Sequence, residues 1–122
     1  MRKPDTDPDS VEMSDVLCDF CHREWTEDIP MVEGHQGSCI CGQCLTVAYH
    51  EVLVTRTAPS GKYTCTMCLE KPDDRDAEGR PDEPGWQSPA CEDAAICRRC
   101  IKRASGTLHK DPDFNWRKPD AA

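Results

Sequence analysis

The chain has 122 residues, including 10 cysteines and 10 prolines but only 7 aromatic residues, and 15 Lys plus Arg against 23 Asp plus Glu give it a formal charge of −8. So few aromatic residues exclude a large hydrophobic core, and the negative balance disfavours a general role on phosphate backbones. No run approaches the roughly 18 apolar residues of a membrane span, and the charged, proline-containing stretch from Met1 to Ser10 lacks the apolar centre of a secretory signal. The expectation is a cytoplasmic protein whose thiols stay reduced, which favours metal binding over a disulfide framework.

Residues 1–15 carry Asp5, Asp7, Asp9, Glu12 and Asp15 among prolines and small polar residues, and are expected to be a disordered acidic tail. A first module is placed at 16–57. Its Cys18-Asp19-Phe20-Cys21 and Cys41-Gly42-Gln43-Cys44 each put two thiols on one side of a tight turn, and two such turns facing each other supply the four ligands of a tetrahedral zinc site. Between them, Ile29, Met31 and Val32 lead into Gly34-His35-Gln36-Gly37 and return through Ser38 to Ile40, the pattern of a small β-hairpin. From Cys41 to about Thr55 the apolar residues Leu45, Ala48, Tyr49, Val52 and Leu53 recur at helical spacing, and Val47 and Val54 widen the stripe. A stripe broader than one hairpin can cover is expected to be buried against the second module or another copy of the chain. Cys18 to His22 also matches the haem-attachment pattern, but that chemistry needs export, so His22 is read as a surface residue beside the site.

Ala58-Pro59-Ser60-Gly61 is a turn-like linker (58–61) into a second module at 62–108, where Cys65-Thr66-Met67-Cys68 and Cys97-Arg98-Arg99-Cys100 repeat the arrangement. Between the inner cysteines lie 19 residues in the first module and 28 in the second. The extra length is assigned to a loop insertion at 70–90, too polar and proline-interrupted for regular structure, with Trp86 packing locally to pin it. Ile101, Ala104 and Leu108 mark a weaker helix, expected to end or fray at Gly106. Cys39 and Cys91 remain after eight ligands are assigned. Cys39 is read as a packing residue, and Cys97 is preferred to Cys91 because only Cys97 makes a tight turn with Cys100. Arg98, Arg99, Lys102 and Arg103 form a basic cluster that either neutralises the second thiolate centre or binds a phosphate or acidic partner. The tail at 109–122 holds Phe114-Asn115-Trp116, which either folds back on a module or serves as a linear motif.

A knuckle, a hairpin and a helix carrying the last two ligands in its first turn describe a treble-clef zinc finger. The fold expected is thus a small metal-bound α+β protein with two tandem treble-clef-like modules, each holding one structural Zn²⁺. Eight ionised cysteines and two Zn²⁺ would bring the charge to about −12, and the positive end of each helix offsets a four-thiolate centre.

The stretch Leu17 to Cys21, the strand ending near Gly34, and Ile40 to Leu45 resemble the N-terminal zinc-binding domain of the unfoldase ClpX over about residues 16–56, with a weaker echo in Tyr63 to Cys68 and Ala95 to Ile101. Three features depart from that family. The glycine common after its second cysteine is replaced by His22 and Leu69, the acidic residues between its last two ligands by Gly42-Gln43 and Arg98-Arg99, and no Gly-x-x-x-x-Gly-Lys-Ser/Thr loop occurs here. The resemblance implies a domain that dimerises and recruits substrates and adaptor proteins, without the ATPase, and two copies in one chain suggest an intramolecular pseudo-dimer or a homodimer. Four thiolates close a zinc shell to chemistry, so the expected function is non-enzymatic: a protein-interaction module, as adaptor or regulator, that presents the helix after Cys44 to a protein partner. The alternatives are a nucleic-acid or ribosome-associated zinc protein using Arg98 to Arg103, and a thiol-based redox sensor.

Overall fold

The computed structural model describes residues 1–58 and 62–119, so the linker expected at 58–61 lies, past Ala58, outside the described residues. One antiparallel hairpin and one principal helix are built in each half on the same plan. In the first half, β1 (Met31–Glu33) pairs with β2 (Cys39–Cys41), and α1 (Gly42–Tyr49) follows at once, continuing as a π-helical turn over His50–Val54. In the second half, a short helix α2 (Pro72–Ala77) precedes β3 (Gly85–Gln87) and β4 (Ala95–Cys97), and α3 spans Arg98–His109. The registers correspond: Met31 opposes Cys41 as Gly85 opposes Cys97, and Val32 opposes Ile40 as Trp86 opposes Ile96.

Several expectations are corrected here. The 70–90 segment is not without regular structure, because it contains α2 and β3. Pro72 stands in the first turn of α2, where its missing N–H costs nothing, and the Asp74 carboxylate accepts from the Lys71 N–H at 2.9 Å. Beneath this helix Glu70 is buried, with the Arg75 guanidinium 3.6 Å away and those of Arg80 and Arg99 at 2.8 and 2.5 Å. Arg75 is itself buried, stacked 3.8 Å over the Tyr63 ring and donating to the Tyr63 carbonyl. Polar composition conceals these partners; the three guanidiniums offset part of the cost of burying the Glu70 carboxylate. The second helix also runs through Gly106 to His109, since buried Leu108 anchors its last turn. The start of the acidic segment 1–15 makes backbone contacts with the first module: Arg2 bridges Val16, Lys3 N–H donates to the Asp15 carbonyl at 2.8 Å, and Leu17 N–H to that of Met1 at 2.6 Å.

The core is shared between the halves. Helices α1 and α3 pack on each other, burying Leu45, Ala48 and Val52 on one side and Ile101, Ala104 and Leu108 on the other. Each half also seats its hairpin on the other half's knuckle. Trp86 is buried and stacks on Phe20 with ring centroids 5.8 Å apart, and Ser88 Oγ donates to the Phe20 carbonyl at 2.5 Å. In return, the His35 N–H donates to the Met67 carbonyl at 2.7 Å. Gly34 must lack a side chain for this: a Cβ there would lie 2.6 Å from the Met67 carbonyl oxygen. Trp86 therefore anchors the two halves together rather than its own loop.

Val47, expected within the buried stripe, is 45% exposed, because the α1 face turned to α3 is the Leu45, Ala48, Val52 row. The C-terminal motif folds back on the first half, where Trp116 Nε1 donates to the Gly42 carbonyl at 3.0 Å and to Thr46 Oγ1 at 2.9 Å. Because the halves interlock, Trp86→Ala is expected to cost about 3–5 kcal/mol and to lower the melting of both halves in one transition, whereas Val47→Asp shifts it little. Thermal unfolding followed by far-ultraviolet circular dichroism, with the near-ultraviolet signal in parallel, checks both.

Candidate metal centres

Each centre joins a knuckle to the start of a helix. Cys18, Cys21, Cys41 and Cys44 form one cluster and Cys65, Cys68, Cys97 and Cys100 the other, with all sulfurs in a cluster within 4.8 Å of one another. These are the eight cysteines expected from spacing, brought together in the expected fours. Cys41 and Cys97 end the second strand of each hairpin and serve as N-caps of α1 and α3, so the third and fourth ligands fall in one turn. Backbone amides at the strand-to-helix junctions point at the sulfurs: Cys44 N–H, in the first turn of α1, donates to Cys41 Sγ at 3.5 Å, while the strand-end amides of Cys41 and Cys97 reach Cys18 Sγ at 3.2 Å and Cys65 Sγ at 3.3 Å.

The sulfur spacing tests which ion suits the donor set. Tetrahedral zinc with bonds of about 2.3 Å requires sulfurs about 3.8 Å apart. The close pairs are Cys18 to Cys44 at 4.0 Å, Cys21 to Cys41 at 3.7 Å and Cys68 to Cys97 at 3.8 Å, so the residues fit one zinc-sized ion per cluster. The packing also sorts the protons. Hydrogen bonds with Cys41 and Cys44 hold Cys18 far below the ordinary thiol range, and those with Cys100 and Cys97 hold Cys65 down at about 4. Their neighbours bear the cost: the bond to Cys18 pushes Cys41 up to about 11, and Cys44 and Cys100 are raised by their bonds to Cys18 and Cys65. Backbone donors thus converge on the first sulfur of each knuckle. A bound divalent cation displaces protons from its partners, so metal loading falls as pH falls.

The knuckles need a left-handed residue after the second cysteine. His22 and Leu69 occupy that place at φ of 59° and 66°, and their amides donate to the carbonyls of Cys18 and Cys65, both at 2.8 Å. The departure from glycine noted in the sequence therefore changes the residue and keeps the backbone. His22 is exposed and belongs to neither cluster.

Cys39 and Cys91 also stay outside the clusters. Cys39 is buried with its Sγ 2.9 Å from the Leu17 carbonyl, and burial pushes its thiol up. The basic cluster is divided. Arg99 faces Glu70 at 2.5 Å and Glu78 at 4.0 Å, Arg98 points to the pocket beside Val52 and Leu53, and Arg103 lines a groove on the far side of α3. Sequence reasoning missed Glu70 as the residue that organises this surroundings; its place directly after a knuckle, with arginines at positions 75 and 80, was the available signal.

Comparison of the chain with protein-family models, with curated proteins and with solved structures finds no match. Among the described residues no helix is long and apolar enough to cross a membrane.

Two outcomes follow from this geometry. Elemental analysis of the purified chain should give two metal ions; Cys97→Ser should lose one, whereas Cys91→Ser and Cys39→Ser should retain both. Leu69→Gly relieves a left-handed non-glycine residue at the expense of chain entropy, and is expected to gain about 0.5–1 kcal/mol in thermal or chemical unfolding.

Proposed function

We propose that this chain is a non-enzymatic protein-interaction module held together by two structural zinc ions, acting as an adaptor or regulator in the cytoplasm. Each half is a treble-clef finger in this reading, and the ClpX-type zinc-binding domain is the relative its first half resembles. The observation that carries the proposal is that four cysteines surround each centre, beneath a knuckle and a helix N-terminus. A shell completed by four thiolates leaves no coordination position for substrate and puts the metal's binding energy into the fold.

Two features support a protein partner over a nucleic acid. The overall charge is −8 before the thiolates are counted, and Arg99, at the centre of the basic cluster, is committed to Glu70. The apolar row of α1 is spent on α3, so the partner meets a surface made by both halves and not the helix after Cys44 alone.

Chelation at neutral pH is expected to abolish the circular dichroism of the fold and partner binding together, and added Zn²⁺ to restore both. Duplex DNA or RNA should show no mobility shift with the zinc-loaded chain even at low ionic strength. A fold that survives chelation, or nucleic-acid binding that weakens steeply with salt, would reject this reading.

A further inference from the structure

The two halves bury their hairpins unequally, and the difference leaves a groove in only one of two corresponding places. In the first half's knuckle, the indole of Trp86 fills the space between β3 and Phe20 and is 5% exposed. The register places Val32 at the position of Trp86, and the knuckle sequences place Met67 at that of Phe20. Valine is too small to fill what tryptophan fills. At that point the structure has an open groove of about 590 Å³, with the half-buried Met31 and Val32 on one side, the exposed Arg103 and Thr107 of α3 on the other, and the buried Met67, Ala104 and Leu108 at its floor. Cys68 and Cys100 adjoin it, so the second metal centre fixes its walls. It is continuous with the seam between the halves, where His35 donates to the Met67 carbonyl.

We propose that this groove binds a large aromatic side chain, tryptophan foremost, presented by a peptide segment of a partner protein. The chain itself supplies the precedent for the occupant, because a tryptophan already sits in the corresponding place of the other half. The rim suits a peptide backbone. Arg103 and His35 offer donors, Glu33, Asp111 and the Thr107 hydroxyl offer acceptors, and Arg103 makes no ion pair among the described residues. The mixed signs of these groups favour a neutral anchor over a phosphate or an acidic cluster. This inference rests on the protein-interaction reading and names its surface.

The test uses the full zinc-loaded chain and N-acetyl-tryptophanamide as the probe, with N-acetyl-alaninamide as control, followed by amide chemical shifts. The tryptophan probe should bind with a roughly millimolar dissociation constant, move the amides of Val32, Met67, Ala104 and Leu108, and show intermolecular Overhauser contacts from its indole to the Met67 and Leu108 methyl groups. Val32→Trp, which supplies the ring in place, should retain two metal ions and weaken probe binding at least about tenfold. The Overhauser contacts in the unsubstituted chain decide the matter if Val32→Trp fails to hold metal. No shifts up to the probe's solubility, shifts elsewhere on the surface, or undiminished binding by a metal-loaded Val32→Trp would overturn the proposal. Groove shifts that appear on concentrating the chain without probe would overturn it in favour of a second copy as occupant. Failure of the groove leaves the chelation result standing, whereas a fold that survives chelation rejects the interaction-module reading whatever the probe does.

Discussion

In each half, two thiols come from a knuckle and two from the opening turn of a helix, so a cation held there would clamp two places that are far apart in sequence and leave the hairpin between them little freedom. This convergence sets the rest of the architecture. It fixes where β2 and β4 end, because Cys41 and Cys97 are at once the last strand residues and the helix caps. It also fixes the direction in which α1 and α3 leave, and so brings Leu45 and Ile101, each next to a ligand, into one seam. A chain with 7 aromatic residues has few other means of specifying such a core.

The two centres stand in different electrostatic surroundings. Around the second, Glu70 gathers Arg75, Arg80 and Arg99, with Glu78 and Glu83 completing the network through Arg80. A buried carboxylate would be costly alone, and the three guanidiniums that offset it also hold α2 against the knuckle. Around the first, Gly42 and Gln43 replace the arginines between the last two ligands, and the Gly42 carbonyl is covered by the Trp116 indole. Similar backbones thus carry unlike coverings: an ionic network on one half, and an aromatic tail from the far end of the chain on the other.

Local patterns made much of this legible. Cysteine spacing identified both quartets, the Gly34 to Gly37 run marked the first hairpin, and helical periodicity located α1 to within a residue of its observed start. A hairpin was expected in the second half by analogy with the first, but its strands could not be placed, because β3 is only Gly85–Gln87, too short to show alternation, and lies among prolines. The role of Trp86 could not be read from its neighbours, since its partner Phe20 is 66 positions earlier and nothing local encodes that contact. The Glu70 network was missed for a related reason. Composition counts charges as solvent-seeking, and only the fold shows that these charges meet one another.

The reciprocal seating of hairpin on knuckle has a further consequence because both partners belong to one polypeptide. Six aliphatic side chains of the two helices, the Trp86–Phe20 stack and a handful of hydrogen bonds make up the seam, and two separate chains relying on it would come apart on sufficient dilution. Joined covalently, each half faces the other at an effective concentration of about millimolar, whatever the abundance of the protein in the cell. The pairing of its halves is then independent of expression level, and the surface they build jointly is present on every molecule, down to the last copy.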